Sequence, residues 1–196
     1  KISNCKMLDS EIKSKESSAG LVYESKDNSE IIDCTIKNSS IISKKYFASG
    51  LCKTASTSTV QNCNLRNINV LSSKGSIGVV KEPGDSTFED ISVMNSTVHS
   101  RADSTGITIG TQNFLFNCSI VNSKIIGSRT NLMSGQVSKN CYSEQCTIKV
   151  LSEQAEIELF GLSNSTIQNC FVKSLSIYGE QISFRDKNNN TFENSY

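Results

Sequence analysis

Apolar and polar positions alternate along this chain in short runs. From Ile31 the apolar set is Ile31, Cys34, Ile36 and, past an Asx corner at Asn38, Ile41; the pattern returns as Val60, Cys63, Leu65, Val70 and again as Phe88, Ile91, Val93, Val98. A period of two, broken by Asx and Ser, predicts short strands joined by bends, with the named residues on one face. A third strand is predicted about 12 residues before each core motif, at Gly20-Leu21-Val22, Gly50-Leu51-Cys52, Gly78-Val79-Val80 and Gly106-Ile107-Thr108-Ile109. Glycine at a fixed phase implies either a positive φ or a close approach of two backbones.

The whole unit recurs. Aligned on the cysteine, Cys5, Cys34, Cys63, Ile91, Cys118, Cys146, Cys170 and Ser195 are separated by 29, 29, 28, 27, 28, 24 and 25 residues. Repeats of this length signal a solenoid. Three short strands per coil, without a helical period or regularly spaced hairpin dipeptides, predict an all-β parallel β-helix of about seven coils, a single repeat domain over 1–196. Equivalent residues then stack about 4.8 Å apart, and the parallel crossovers predict a right-handed winding. The coil after Cys146 is expected to be irregular, because Val150-Leu151 stands where other coils carry Asn-Ser-x-Ile.

The unit Ser-Ala-Gly-Leu-Val at 18–22, followed by Ile-Ile-Asp-Cys-Thr-Ile at 31–36, resembles the GLUG repeat of bacterial and protist surface proteins. In that repeat a Gly-Leu-Val strand leads to an Ile-x-Asn-Ser/Cys-x-Val strand. Gly50, Gly78 and Gly106 continue the motif, and the units at Gly135 and Leu159 lack it. The resemblance implies an adhesin-like, pectin-lyase-like solenoid that is secreted or displayed at a cell surface.

Composition narrows the function classes. A net charge of +1, with 20% charged residues, supplies no field that would gather nucleic acid or an anionic membrane. No run approaches the roughly 18 to 20 apolar residues of a membrane span. Both Lys1-Ile2-Ser3-Asn4-Cys5 and Asn194-Ser195-Tyr196 fall inside a repeat, so a fragment of a longer protein is expected. Its open ends would pair with neighbouring domains of that protein or associate end to end.

Eight cysteines raise disulfide and metal chemistry. Six share one phase, which Ile91 fills in the fourth coil, so a buried ladder of free thiols is predicted. Cys52 and Cys141 fall off that ladder and are the candidates for a disulfide. With no Cys-x-x-Cys pair and one histidine, no zinc set and no cofactor are expected. Two Asx columns, Asn4, Asp33, Asn62, Asp90, Asn117, Gln145, Asn169, Asn194 and Asp9, Asn38, Asn67, Asn95, Asn122, Ser174, predict ladders of side chains at the bends. The alternative there is a calcium site across Asp33, Asn62 and Asp90, for which carboxylates are sparse. Sequons at Asn38, Asn95, Asn117, Asn164 and Asn189 are candidate glycan acceptors, with Asn117 expected to be too enclosed.

Two function classes follow. The outward positions Thr35 and Lys37, Asn64 and Arg66, Ser92 and Met94, Ser119 and Val121, Thr147 and Lys149, Phe171 and Lys173 predict a flat, hydroxyl-bearing strip flanked by intermittent cations. A structural and adhesive rod would bind a glycan or another surface protein along that face, with Lys37, Arg66, Lys149 and Lys173 as its contacts. The alternative is a polysaccharide lyase or hydrolase on the same fold, using Glu156 and Glu158, with Glu153 and Lys149 nearby. His99 has no nucleophile beside it in sequence and is expected at a surface corner.

Overall fold

A computed structural model describes residues 1–108, 112–152, 155–160, 165–179, 182–184 and 191–195. Among these residues there is no helix, and each strand pairs in parallel with its counterpart one coil away. The chain is a parallel β-solenoid. Its three strands per coil are present, and two of them are subdivided at corners. In one coil the core strand divides into Glu30–Ile32 and Thr35–Lys37, the second strand is Ser40–Ser43, and the third divides into Phe47–Ser49 and Cys52–Ser56. Stacked over successive coils, these make a first sheet of eight strands, three further sheets of seven, and a short fifth sheet of three.

Inward residues form continuous columns. Along the first sheet the register joins Ile2, Ile31, Val60, Phe88, Leu115, Ser138 and Ile167. Along the second it joins Met7, Ile36, Leu65, Val93, Ile120, Ser143 and Val172. The third carries Ile12, Ile41, Val70, Val98, Ile125, Ile148 and Ile177. From Ile31 to Ile125 these side chains are almost wholly buried, so the hydrophobic effect acts along the whole axis rather than at one centre.

The corners are made by residues in the left-handed region. The bend between the first and second sheets is Asn4, Asp33, Asn62, Asp90, Asn117, Asn140, Asn169 and Asn194, with φ from 48° to 55°. The bend between the second and third is Asp9, Asn38, Asn67, Asn95, Asn122, Gln145 and Ser174, again at φ from 46° to 55°. Asx side chains tolerate this conformation because they bond locally. They also bond to one another, as in Asn38 Nδ2 to Asp9 Oδ1 at 2.9 Å and Asn67 Nδ2 to Asn38 Oδ1 at 2.8 Å. The residue after each corner leads into the next strand, and where it is serine or cysteine its side chain returns a bond to the carbonyl two residues earlier; Ile68, Ile91 and Leu175 stand there without a donor. Ser39 Oγ does so to Lys37 O at 2.8 Å, and Cys63 Sγ to Gln61 O at 3.3 Å. Serine and cysteine recur there because both are small donors.

This register corrects the alignment at one place. Asn140, not Gln145, takes the first corner, and Cys141, not Cys146, continues the ladder Cys34, Cys63, Ile91, Cys118 and Cys170. Gln145 takes the second corner, and Cys146 follows it with a bond to Glu144 O at 3.4 Å. The step from Asn117 to Asn140 is 23 residues and the next, to Asn169, is 29. Had Gln145 held the first corner, the second would have fallen on Val150, a β-branched residue for which positive φ is a true outlier.

All eight thiols are free, so the disulfide candidates Cys52 and Cys141 are unpaired. Burial pushes the Cys52 and Cys63 thiols up to about 12. Cys141 is raised chiefly by its hydrogen bond with Cys118, and Cys170 by its bond with Cys141. Thiols held protonated in this way pack as small apolar groups and are poor nucleophiles. The glycine phase is explained by close approach: a Cβ on Gly20 would lie 1.9 Å from Gly50 O, and one on Gly50 or on Gly78 would lie 1.8 Å from the carbonyl of the next glycine. In the next coil that phase belongs to Leu132, which is buried, rather than to Gly135.

Candidate functional site

The predicted strand face is not one face. On the second sheet the register runs Leu8, Lys37, Arg66, Met94, Val121, Glu144, Lys173. Lys37 and Arg66 are exposed like charges on adjacent rungs. The middle of the row is apolar, and Lys173 is neutralised by Glu144 at 3.0 Å. Lys149 lies elsewhere, on the third sheet, where it pairs with Ile126 and Tyr178. The row beside it corrects likewise: Tyr142, not Thr147, follows Ser119, and its ring stacks on Phe171 at 5.4 Å between centroids.

The third sheet carries the concavity. Its strands Thr97–Ser100, Lys124–Gly127, Thr147–Val150 and Ser176–Tyr178 are consecutive in register. Period two turns Val98, Ile125, Ile148 and Ile177 inward, so Thr97, Lys124 and Thr147 form one outward row and His99, Ile126, Lys149 and Tyr178 form the next. The Asx corner stands beside the first row as a ridge. Between ridge and rows lies an open groove of about 620 Å³, which reaches from Thr97 to Tyr178 and contains no carboxylate. Within it Asn122 Nδ2 donates to Asn95 Oδ1 at 2.9 Å, while Gln145 has no hydrogen bond from its amide among the described residues. Ser96 and Ser123, beneath the ridge, spend their hydroxyls on Met94 O and Val121 O.

The remaining candidates are dispersed. His99 is half-buried within a strand, not at a corner, between Leu71 and Ile126. Its carbonyl accepts from Ser76 Oγ at 2.6 Å. Asp33 Oδ1 accepts from Asn62 Nδ2 at 3.1 Å, so the calcium alternative would compete with the amide ladder. Glu156 and Glu158 lie in the strand Ala155–Phe160 of the fourth sheet, on either side of buried Ile157. Their side chains, and Glu153, lie outside the described residues. Asn38 and Asn95 are exposed, with amides engaged in the ladder, whereas Asn164 and Asn189 lie outside the described residues. Asn117 is exposed, not enclosed, because the corner residue points outward and its neighbour Cys118 takes the interior.

Lys124, Gln145 and Tyr178 were missed as site residues. The available signal was the interval of five between the two corners of a coil, as in Asp33 to Asn38 and Asn62 to Asn67. Asn140 and Gln145 keep that interval, which places Lys149 on the third sheet.

No family model matches the chain, and no curated protein matches it. Among solved structures it is similar to QnrB1, a plasmid-mediated fluoroquinolone resistance protein, at 13% identity over 91% of this chain and 92% of that chain, with a TM-score of 0.22. So low a score carries no argument about this chain; the β-solenoid rests on the strand pairing itself.

Proposed function

We propose that this chain is a structural and adhesive rod of an extracellular or cell-surface protein, of the GLUG-repeat, adhesin-like kind, and that it engages glycan or protein partners across a sheet face. One observation supports this above others. The groove of the third sheet is laid across successive rungs of a repeating surface, open to solvent, and is lined with amides, hydroxyls and ammonium groups. Such a surface offers many shallow polar contacts along a chain rather than a closed reaction chamber. The stacked sheets beneath it give a stiff support that needs no rearrangement on binding, which lowers the entropic cost of association.

The test is retention against turnover. The purified chain is spread on arrays of glycans and of extracellular proteins, and bound polysaccharide is assayed for new chain ends. Retention without new ends is the expected result. Turnover of a polysaccharide that Glu156→Gln abolishes would replace this reading with the lyase or hydrolase alternative.

A further inference from the structure

Resting on that reading, we infer that the third-sheet groove is a binding site for an acidic polysaccharide, with Lys124 and Lys149 meeting its anionic groups and Tyr178 stacking on a sugar ring. Three observations converge. First, the groove holds two ammonium groups and no carboxylate. Neither ammonium has an ion pair among the described residues, a condition shared with Lys37 and Lys74; what sets Lys124 and Lys149 apart is that both line one concave site without a carboxylate. An uncompensated pair of cations in a concave polar site favours an anionic occupant.

Second, Tyr178 is 59% exposed at the end of this groove, in the same row as Lys149. An aromatic side chain left open beside polar groups offers a flat apolar face with a hydroxyl at its edge, the combination that suits a ligand with both C–H and O–H surfaces. Third, the hydrogen-bonding groups are unspent in part. The amide of Gln145 is free among the described residues, and Thr97 and Thr147 present hydroxyl-bearing side chains on adjacent outward positions flanking Lys124. Sugar hydroxyls both donate and accept, and these groups match them.

The spacing sets the direction. Lys124, Lys149 and Tyr178 lie on three consecutive rungs, so they span about 10 Å along the rod at about 4.8 Å per rung. Lys149 stands two residues further along its strand than Thr147, the partner of Lys124. The ligand therefore runs obliquely along the axis rather than along a strand. The same features disfavour other classes: the amide- and hydroxyl-lined groove lacks the apolar centre of a protein interface, and two cations release too few counterions to hold a nucleic acid.

The test is calorimetric titration with oligogalacturonate, which carries carboxylates alone, a heparin oligosaccharide, which adds sulfates, and carboxyl-reduced oligogalacturonate as the neutral control. Wild-type chain is expected to bind at least one acidic probe and to bind the neutral control at least tenfold more weakly. Lys124→Ala with Lys149→Ala should weaken the acidic probe tenfold or more. Tyr178→Ala should weaken it at least threefold, and Lys37→Ala with Arg66→Ala should leave it unchanged. Circular dichroism verifies that each variant is folded. Preference for one acidic probe identifies carboxylate or sulfate as the recognised group. The inference is overturned if the groove variants bind as wild type does, or if neither acidic probe binds. Binding of neutral glycans or proteins that the groove variants leave intact would overturn the site while sparing the adhesive rod.

Discussion

The coil from Glu30 to Ser56 and the coil beginning at Val137 have the same corners and different interiors. In the first, the inward columns carry Ile31, Cys34, Ile36 and Ile41, all buried and apolar. In the second, the same positions carry Ser138, Cys141, Ser143 and Ile148, and the hydroxyls of Ser138 and Ser143 are buried with no hydrogen-bond partner. Asn113 and Ser134, in the coil below, are orphaned as well. Yet the left-handed corners at Asn140 and Gln145 and the parallel pairings on both sides persist. The difference teaches that the path of the chain is set by corner residues and backbone ladders, and that apolar filling adds stability to a path already chosen. A buried unpartnered hydroxyl costs about 1 to 3 kcal/mol relative to solvation, so the coil at Val137 gains less from its first two inward columns than the coil from Glu30 to Ser56 does.

The largest expected effect comes from breaking the tighter of these regions at its backbone. Gly50→Ala places a Cβ 1.8 Å from the Gly78 carbonyl, where neither backbone has room to yield. Chemical denaturation should show a loss of about 3 kcal/mol or more. Gly84→Ala meets nothing closer than Ser56 Oγ at 3.6 Å and should stay within about 0.5 kcal/mol of wild type. Equal effects would remove close approach as the reason for the glycine column.

A smaller effect is expected at the shared corners. Asn67 sits at φ 54° and donates to Asn38. Asn67→Val forces a β-branched residue into that region and should cost about 2 kcal/mol, whereas Asn67→Gly should cost less than about 1 kcal/mol. The same denaturation assay separates them, and a harmless valine would mean that the corners do not direct the path.

The smallest effect has the opposite sign. Ser143→Ala removes a buried hydroxyl without a partner and should raise stability by about 1 kcal/mol. Val93→Ala in the same column should lower it by about 2 kcal/mol, because it empties a filled position. A destabilising Ser143→Ala would show that the hydroxyl is satisfied and that the two interiors are alike.

Much of this architecture is legible in the residues. The alternation from Ile31 to Ile41 fixes which side is inside, and the Asx columns mark the bends, because few other residue types accept a left-handed corner cheaply. The register failed where two solutions share one motif: Asn140-Cys141 and Gln145-Cys146 both read as corner followed by inward thiol. Spacing alone favoured Cys146, while the steric objection to Val150 as a corner favoured Cys141. The site was less legible for the same reason. Placing Lys149 in the row of Lys37 and Arg66 followed from the misplaced cysteine and hid its proximity to Lys124 and Tyr178. A groove assembled from three coils has no signature in any one of them.

The register at the shortened coil is the claim on which the groove depends, and proximity cross-linking tests it most directly. Val121 and Glu144 are neighbours on the second sheet, both outside the apolar columns, whereas Lys149 lies on the third. Val121→Cys with Glu144→Cys, treated with dibromobimane, should give an intramolecular bridge seen as a fluorescent monomer whose joined peptides are identified by mass spectrometry. Val121→Cys with Lys149→Cys should give none. Bridging of the second pair and not the first would place Cys146 in the ladder, return Lys149 to the row of Lys37 and Arg66, and contradict the account.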